Sequence, residues 1–184
     1  MRTFIALELE ETLKKALTHL IDKLRLKGGK IKWVKEEGMH LTLKFLGEID
    51  QKKASEVEKI LDKVARNSSS FPLSIKGTGY FPPSRNPRVL WAGVEAGEVL
   101  ESLHHELEVE LEKIGFAREE REFRPHLTLG RVKSSDFLKD TLNELEKHRN
   151  TTFGHMNVNK ITFFRSVLKP SGAEYSVLSE FFLK

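Results

Sequence analysis

The tetrapeptide His40-Leu41-Thr42-Leu43 occurs a second time, unchanged, as His126-Leu127-Thr128-Leu129. Side chains of an extended strand alternate between its two faces, so each copy turns its histidine and threonine to one side and its two leucines to the other. The leucines are what a strand offers a core. The histidine and threonine, two residues apart, converge on one small group, and an imidazole beside a hydroxyl suits an anion. A lone His-x-Thr reads most simply as a hydrogen-bonded structural histidine; the identical repeat makes both copies candidates for a site.

Outward from each copy the same succession of elements unfolds. Residues 2–9 alternate as a strand, with Ile5, Leu7 and Leu9 on one face and Phe4 and Ala6 on the other. Leu13, Ala16, Leu17, Leu20, Ile21 and Leu24 then mark one helical face, which Gly28-Gly29 ends. After the first motif strand, over 39–48, Asp50 caps a helix whose stripe is Ala54, Val57, Ile60, Leu61 and Val64, and 72–80 returns as a strand. Pro82, Pro83 and Pro87 make 81–88 a loop, in which Arg85 and Arg88 read as residues of a solvated turn. The order then restarts with a strand over 89–95, a helix over 98–114 and the second motif strand over 123–133. Ser134 or Ser135 is expected to cap a helix through Phe137, Leu138, Leu142 and Leu145, followed by a strand over 156–165.

The two histidines lie 86 positions apart (126 − 40), as do Thr3 and Val89 in the opening strands (89 − 3). This register indicates an internal duplication. The pseudo-repeats span about 1–80 and 88–165, and a C-terminal strand over 173–183, after the Pro170-Ser171-Gly172 turn, has no counterpart. Alternating strands and helices build sheets with helices packed on one side. Two such sheets facing each other would enclose a cleft, with the His-x-Thr strands on opposite walls and the helices outside. The expected class is therefore α+β, a duplicated, bilobed arrangement of two antiparallel-type sheets in one domain over 1–184.

Composition narrows the function. The 184 residues suffice for a core without staples, and the absence of cysteine excludes a disulfide framework and a thiolate nucleophile. A charged fraction of 32% and a single glutamine, Gln51, lean toward a heat-adapted source. Basic residues exceed acidic ones by 31 to 27, a net +4 that permits a polyanionic partner without requiring one. No signal-like run follows Met1 and no apolar stretch approaches membrane-spanning length, so a soluble, cytoplasmic protein is expected. Separately, it is expected to be a monomer. A metal site would be the rival use of two histidines. It lacks partners, because neither copy has a carboxylate at ligand spacing and threonine is a poor zinc ligand, so no metal and no cofactor is expected. His104, His105, His148 and His155 have no motif around them and read as structural or exposed.

Residues 40–47, His-Leu-Thr-Leu-Lys-Phe-Leu-Gly, and 124–131, Arg-Pro-His-Leu-Thr-Leu-Gly-Arg, resemble the paired motifs of the two-histidine (2H) phosphoesterases. More closely, they resemble the bacterial and archaeal RNA 2′,3′-cyclic phosphodiesterases once named 2′-5′ RNA ligases. The resemblance extends to Arg2-Thr3-Phe4-Ile5-Ala6, to Phe81-Pro82-Pro83 and to the strand Arg88-Val89-Leu90-Trp91-Ala92-Gly93. It implies a bilobed α+β fold with pseudo-twofold symmetry, a central cleft holding both histidines, and termini in one lobe, so strands need not divide at the midpoint. The implied partner is RNA ending in a 2′,3′-cyclic phosphate.

Hydrolysing that strained diester takes a base to deprotonate water and an acid to protonate the departing ribose oxygen. Two imidazoles with ordinary pKa near 6.5 suit both roles, and in-line displacement requires them on opposite sides of the phosphorus. Thr42 and Thr128 would each donate a hydrogen bond to a non-bridging oxygen. The residues leave open which histidine is acid; the resemblance implies His40 as proton donor to the ribose 3′ oxygen and His126 as base, yielding a 2′-phosphomonoester. Lys44 alternates onto the His/Thr face, where it contacts phosphate or simply ends a strand. Arg131 is a natural phosphate clamp, which strict alternation places on the leucine face unless Gly130 carries a bulge. Phe45, on the same argument, reads as core. Two other functions remain open: 2′-5′ RNA ligation at the same site, and a non-catalytic nucleotide- or RNA-binding module.

Overall fold

The computed structural model describes residues 1–84, 86–170 and 172–184; Arg85 of the proline-rich loop and Ser171 of the last turn lie outside the described residues. In the first half, β1 (Arg2–Glu8) is buried on both faces, and α1 (Glu11–Arg25) turns Leu13, Leu17, Leu20, Ile21 and Leu24 inward. Gly28 and Gly29 stop it with φ of 104° and 85°, a region where a Cβ would be strained. Next come β2 (Lys30–Trp33), β3 (His40–Glu48), α2 (Gln51–Asn67) and β4 (Phe71–Phe81). Asp50 caps α2 as its sequence predicts, its side chain accepting the Lys53 N–H at 2.7 Å, a contact type worth about 1 kcal/mol.

The second half runs β5 (Val89–Glu95), α3 (Gly97–Glu112), β6 (His126–Ser134), α4 (Lys139–Glu146), β7 (Thr152–Val158), β8 (Lys160–Lys169) and β9 (Gly172–Phe182). Three expectations change. β2 is an additional strand, too short and lysine-rich to show a period. The strand expected over 156–165 is two strands, β7 and β8, in different sheets. The last helix begins at Lys139 without a serine cap: Ser134 Oγ donates to Asp136 Oδ2 at 2.7 Å instead. Phe137, at φ 56°, stays outside the helix and 86% exposed rather than in its buried stripe.

All strand pairs are antiparallel, in two sheets of order β3-β1-β8-β9 and β2-β6-β5-β4-β7. Neither sheet belongs to one half of the chain. β8 and β9 complete the sheet of β1 and β3, while β2 and β4 complete the sheet of β5 and β6. The helices exchange as well: α1 packs on β7 and α4, and α4 on β4, whereas α2 packs on β8, β9 and α3. One hydrophobic cluster consequently joins both halves, from Ile5 and Leu41 through Leu61 and Ile75 to Leu107, Leu127 and Phe163. A second, small cluster of Phe4, Ala6 and Phe164 lies on the opposite face of the first sheet, toward the cleft.

Candidate active site

Each motif strand carries a β-bulge at the same place. β3 pairs Thr42 with Ala6 and then Lys44 with Ile5, so Leu43 is the extra residue; β6 pairs Thr128 with Trp91 and then Gly130 with Leu90, so Leu129 is. An extra residue reverses the alternation beyond it. His40, Thr42 and Phe45 therefore share one face of β3, and His126, Thr128 and Arg131 share one face of β6. All six line a single cleft of about 1620 Å³ between the two sheets.

The histidines sit in different surroundings. His126 Nδ1 lies 2.7 Å from the Arg124 carbonyl oxygen. A carbonyl only accepts, so Nδ1 carries the hydrogen and Nε2 of the neutral ring keeps its lone pair. Phe81 stands edge-on to that ring at 5.2 Å. His40 lies among aromatic rings: Phe4 at 4.7 Å, Tyr175 edge-on at 5.1 Å and Phe164 at 5.8 Å. Burial there, reinforced by the charge of Lys14, lowers the His40 pKa from 6.5 to about 4.

The bulges settle three further positions. Arg131 reaches the cleft, as the bulge condition required, although the extra residue is Leu129 rather than Gly130. Phe45, expected in the core, is 65% exposed and lines the cleft next to Phe4, at 5.9 Å between ring centres. Beyond the bulge Lys44 shares a side with Ile5, and it still lines the cleft, beside Glu108 and Ala117. Its ammonium lies 2.7 Å from both carboxylate oxygens of Glu108 and 2.9 Å from the Ala117 carbonyl, with only 8% of either charged side chain exposed. Its three donors are spent on α3 and the loop after it. Glu108 also accepts the Glu119 N–H at 3.0 Å, so the pair anchors the segment that leads to His126.

Of the other histidines, His104 stacks on Phe123 at 3.8 Å, its pKa lowered chiefly by burial, as expected of a packing residue. His155 shares a 2.8 Å hydrogen bond with Ser74, and His148 lies beside Glu144. Arg88 is exposed and its carbonyl accepts the Val132 N–H at 2.9 Å, joining the end of the proline-rich loop to β6.

Comparison with known proteins bears on this geometry. The sequence family described as LigT like Phosphoesterase matches residues 7–91 and 94–175. This chain belongs to that family. A Thermotoga maritima relative named RNA 2′,3′-cyclic phosphodiesterase is 42% identical over 180 residues, covering 98% of this chain and 94% of its own. A Methanothermobacter thermautotrophicus relative of the same name is 37% identical over 184 residues, 98% of each chain. A crystal structure of a Thermus thermophilus protein superposes with a TM-score of 0.85 at 32% identity, over 100% of this chain and 98% of that one. E. coli LigT complexed with 3′-AMP shares the fold, with a TM-score of 0.79 at 23% identity over 99% and 97% of the two chains.

Within this LigT-like fold, sequence reasoning passed over two cleft residues. A signal for Phe45 existed: it and Arg131 each follow a motif histidine by five residues, and an arginine has no place on a buried leucine face. Tyr175 carried no signal, because it comes from β9, the strand outside the duplication. Among the described residues, no helix is long and apolar enough to cross a membrane.

Proposed function

We propose that this phosphoesterase hydrolyses RNA 2′,3′-cyclic phosphate ends to 2′-phosphomonoesters with its two histidines and without a metal. The observation that carries the reading is the bulged pair of strands, which presents His40 with Thr42 and His126 with Thr128 to one cleft. His126, with Nδ1–H committed to a carbonyl, has Nε2 available to take a proton from water. His40 on the facing wall protonates the departing ribose 3′ oxygen, while Thr42, Thr128 and Arg131 hold the non-bridging oxygens as charge develops on them.

The acid's low pKa fits this order of events. A ring with pKa near 4 is neutral in the empty cleft at neutral pH, and a bound phosphate anion raises it again. His40 thus takes up its proton with the substrate. Phe45 offers a face for the terminal nucleobase. Among the described residues, the partners of the two rings are aromatic side chains and a backbone carbonyl rather than carboxylates.

The test incubates an oligoribonucleotide ending in a 2′,3′-cyclic phosphate with the protein and excess chelator, and identifies the product by mass and phosphorus NMR. The expected product is the 2′-monophosphate, with the rate lowered by about 10²–10⁴-fold in either His40→Ala or His126→Ala. A 3′-monophosphate, or turnover that survives both substitutions, would overturn the assignment.

A further inference from the structure

We propose that the cleft holds several nucleotides of a single strand, with bases against the sheet of His40 and upstream phosphates against Lys32 and Lys133. This rests on the cyclic-phosphate reading and extends it from the terminal nucleotide to the chain behind it. At about 1620 Å³ the cleft is larger than the roughly 300–1,000 Å³ of sites built for one small ligand.

One wall carries a row of cations along a strand pair. Beyond Thr128, Arg131 and Lys133 follow along β6, and Lys32 of β2 stands directly opposite Arg131 in the ladder. All three line the cleft, and among the described residues Lys32, Arg131 and Lys133 have no carboxylate partner. Of the other cations lining the cleft, Arg118 is paired with Glu112, Arg124 with Glu122 and Lys44 with Glu108, while among the described residues Arg2, Lys35 and Arg121 have no carboxylate partner either. Cations left unpaired in a row on one strand pair present a positive track.

The facing wall meets that track with an exposed apolar side chain. Leu168 is 66% exposed and lines the cleft two residues beyond Ser166, which pairs with Arg2; both of these line it too. Lys32 reaches to this same end, its Nζ 3.9 Å from where a Cβ on Gly172 would stand. An apolar side chain held open to water opposite unpaired cations matches the two surfaces of single-stranded nucleic acid, stackable bases and charged backbone. A mononucleotide bound at the histidines has no phosphate to give Lys32 or Lys133.

The experiment compares a 2′,3′-cyclic mononucleotide with a trinucleotide ending in the same cyclic nucleotide, measuring kcat/KM over a series of salt concentrations. Binding of both is followed in parallel by calorimetry. The trinucleotide should be the better substrate and the more salt-sensitive one. The Lys32→Gln/Lys133→Gln double variant should lose that advantage and about 1.4 of the log–log salt slope, at about 0.7 per phosphate contact in a single strand. Its constants for the mononucleotide should not change. Equal kcat/KM for the two substrates, or an equal loss on both in the double variant, would overturn the track. Turnover of neither would defeat the cyclic-phosphate reading instead; the calorimetry then decides the track, which falls if the trinucleotide binds no better than the mononucleotide.

Discussion

The two motif strands share four residues and one bulge, and they part at the next two positions. After Leu43 the chain continues Lys44-Phe45, and after Leu129 it continues Gly130-Arg131. At the first of these positions the neighbours decide. A Cβ on Gly130 would come within 2.7 Å of Ile31 and 2.9 Å of Trp33, because β2 lies against β6 there. Beside β3 the corresponding space is filled by the loop after α3, and a lysine bridges to it through Glu108. At the second position the bulge turns both side chains into the cleft, an aromatic ring on one wall and a guanidinium on the other. The two strands thus present the same histidine and threonine to the cleft and differ in what surrounds them.

The largest effect should come from the Lys44 side of this asymmetry. Glu108→Gln strands a buried ammonium, a change that costs about 3–5 kcal/mol; denaturant unfolding checks it, and a loss below about 1 kcal/mol would mean the pair is solvated. The threonines test the symmetry that was retained. Thr42→Val and Thr128→Val should each slow the chemical step by about 10²–10³-fold. Single-turnover rates that fell for one threonine alone would show that only one wall binds the developing charge.

Smaller effects should separate Phe45 from Arg131. Phe45→Ala removes a stacking face worth about 1–3 kcal/mol, so KM for a cyclic nucleotide should rise while affinity for inorganic phosphate stays unchanged. Arg131→Gln should weaken both. Titration comes last. The His40 ring signal should titrate near pH 4 in the free protein and move upward when phosphate is added. Because its folded value lies below 6.5, the unfolded chain binds the extra proton between those two values. The contribution of His40 to stability is therefore present above pH 6.5 and lost as pH falls toward 4. His40→Gln should flatten that part of the acid-unfolding profile; an unchanged profile would contradict the burial of the ring.

Much of this was legible in the chain because it depends on near neighbours. The repeated His-x-Thr, the stripes of α1 and α2 and the Asp50 cap follow from spacings of two to four residues, which local backbone geometry imposes on any sequence. Most of the element order and the two antiparallel sheets followed from the repeat, but β2 and the break between β7 and β8 did not. The division of strands between the sheets did not, since β4, β7 and β8 look alike to a local pattern and are sorted only by which neighbour buries them.

Contacts between distant segments fixed the rest. A bulge is a mismatch between two strands, so no reading of β3 or β6 singly could turn Phe45 and Arg131 into the cleft or join Lys44 to Glu108. The low pKa of His40 has the same origin, being made by Phe4, Phe164, Tyr175 and Lys14 from four separate segments. Residue identity and spacing were enough to name the groups at the centre of the cleft. Their surroundings, and with them the state of each proton, arise from side chains that only folding brings together.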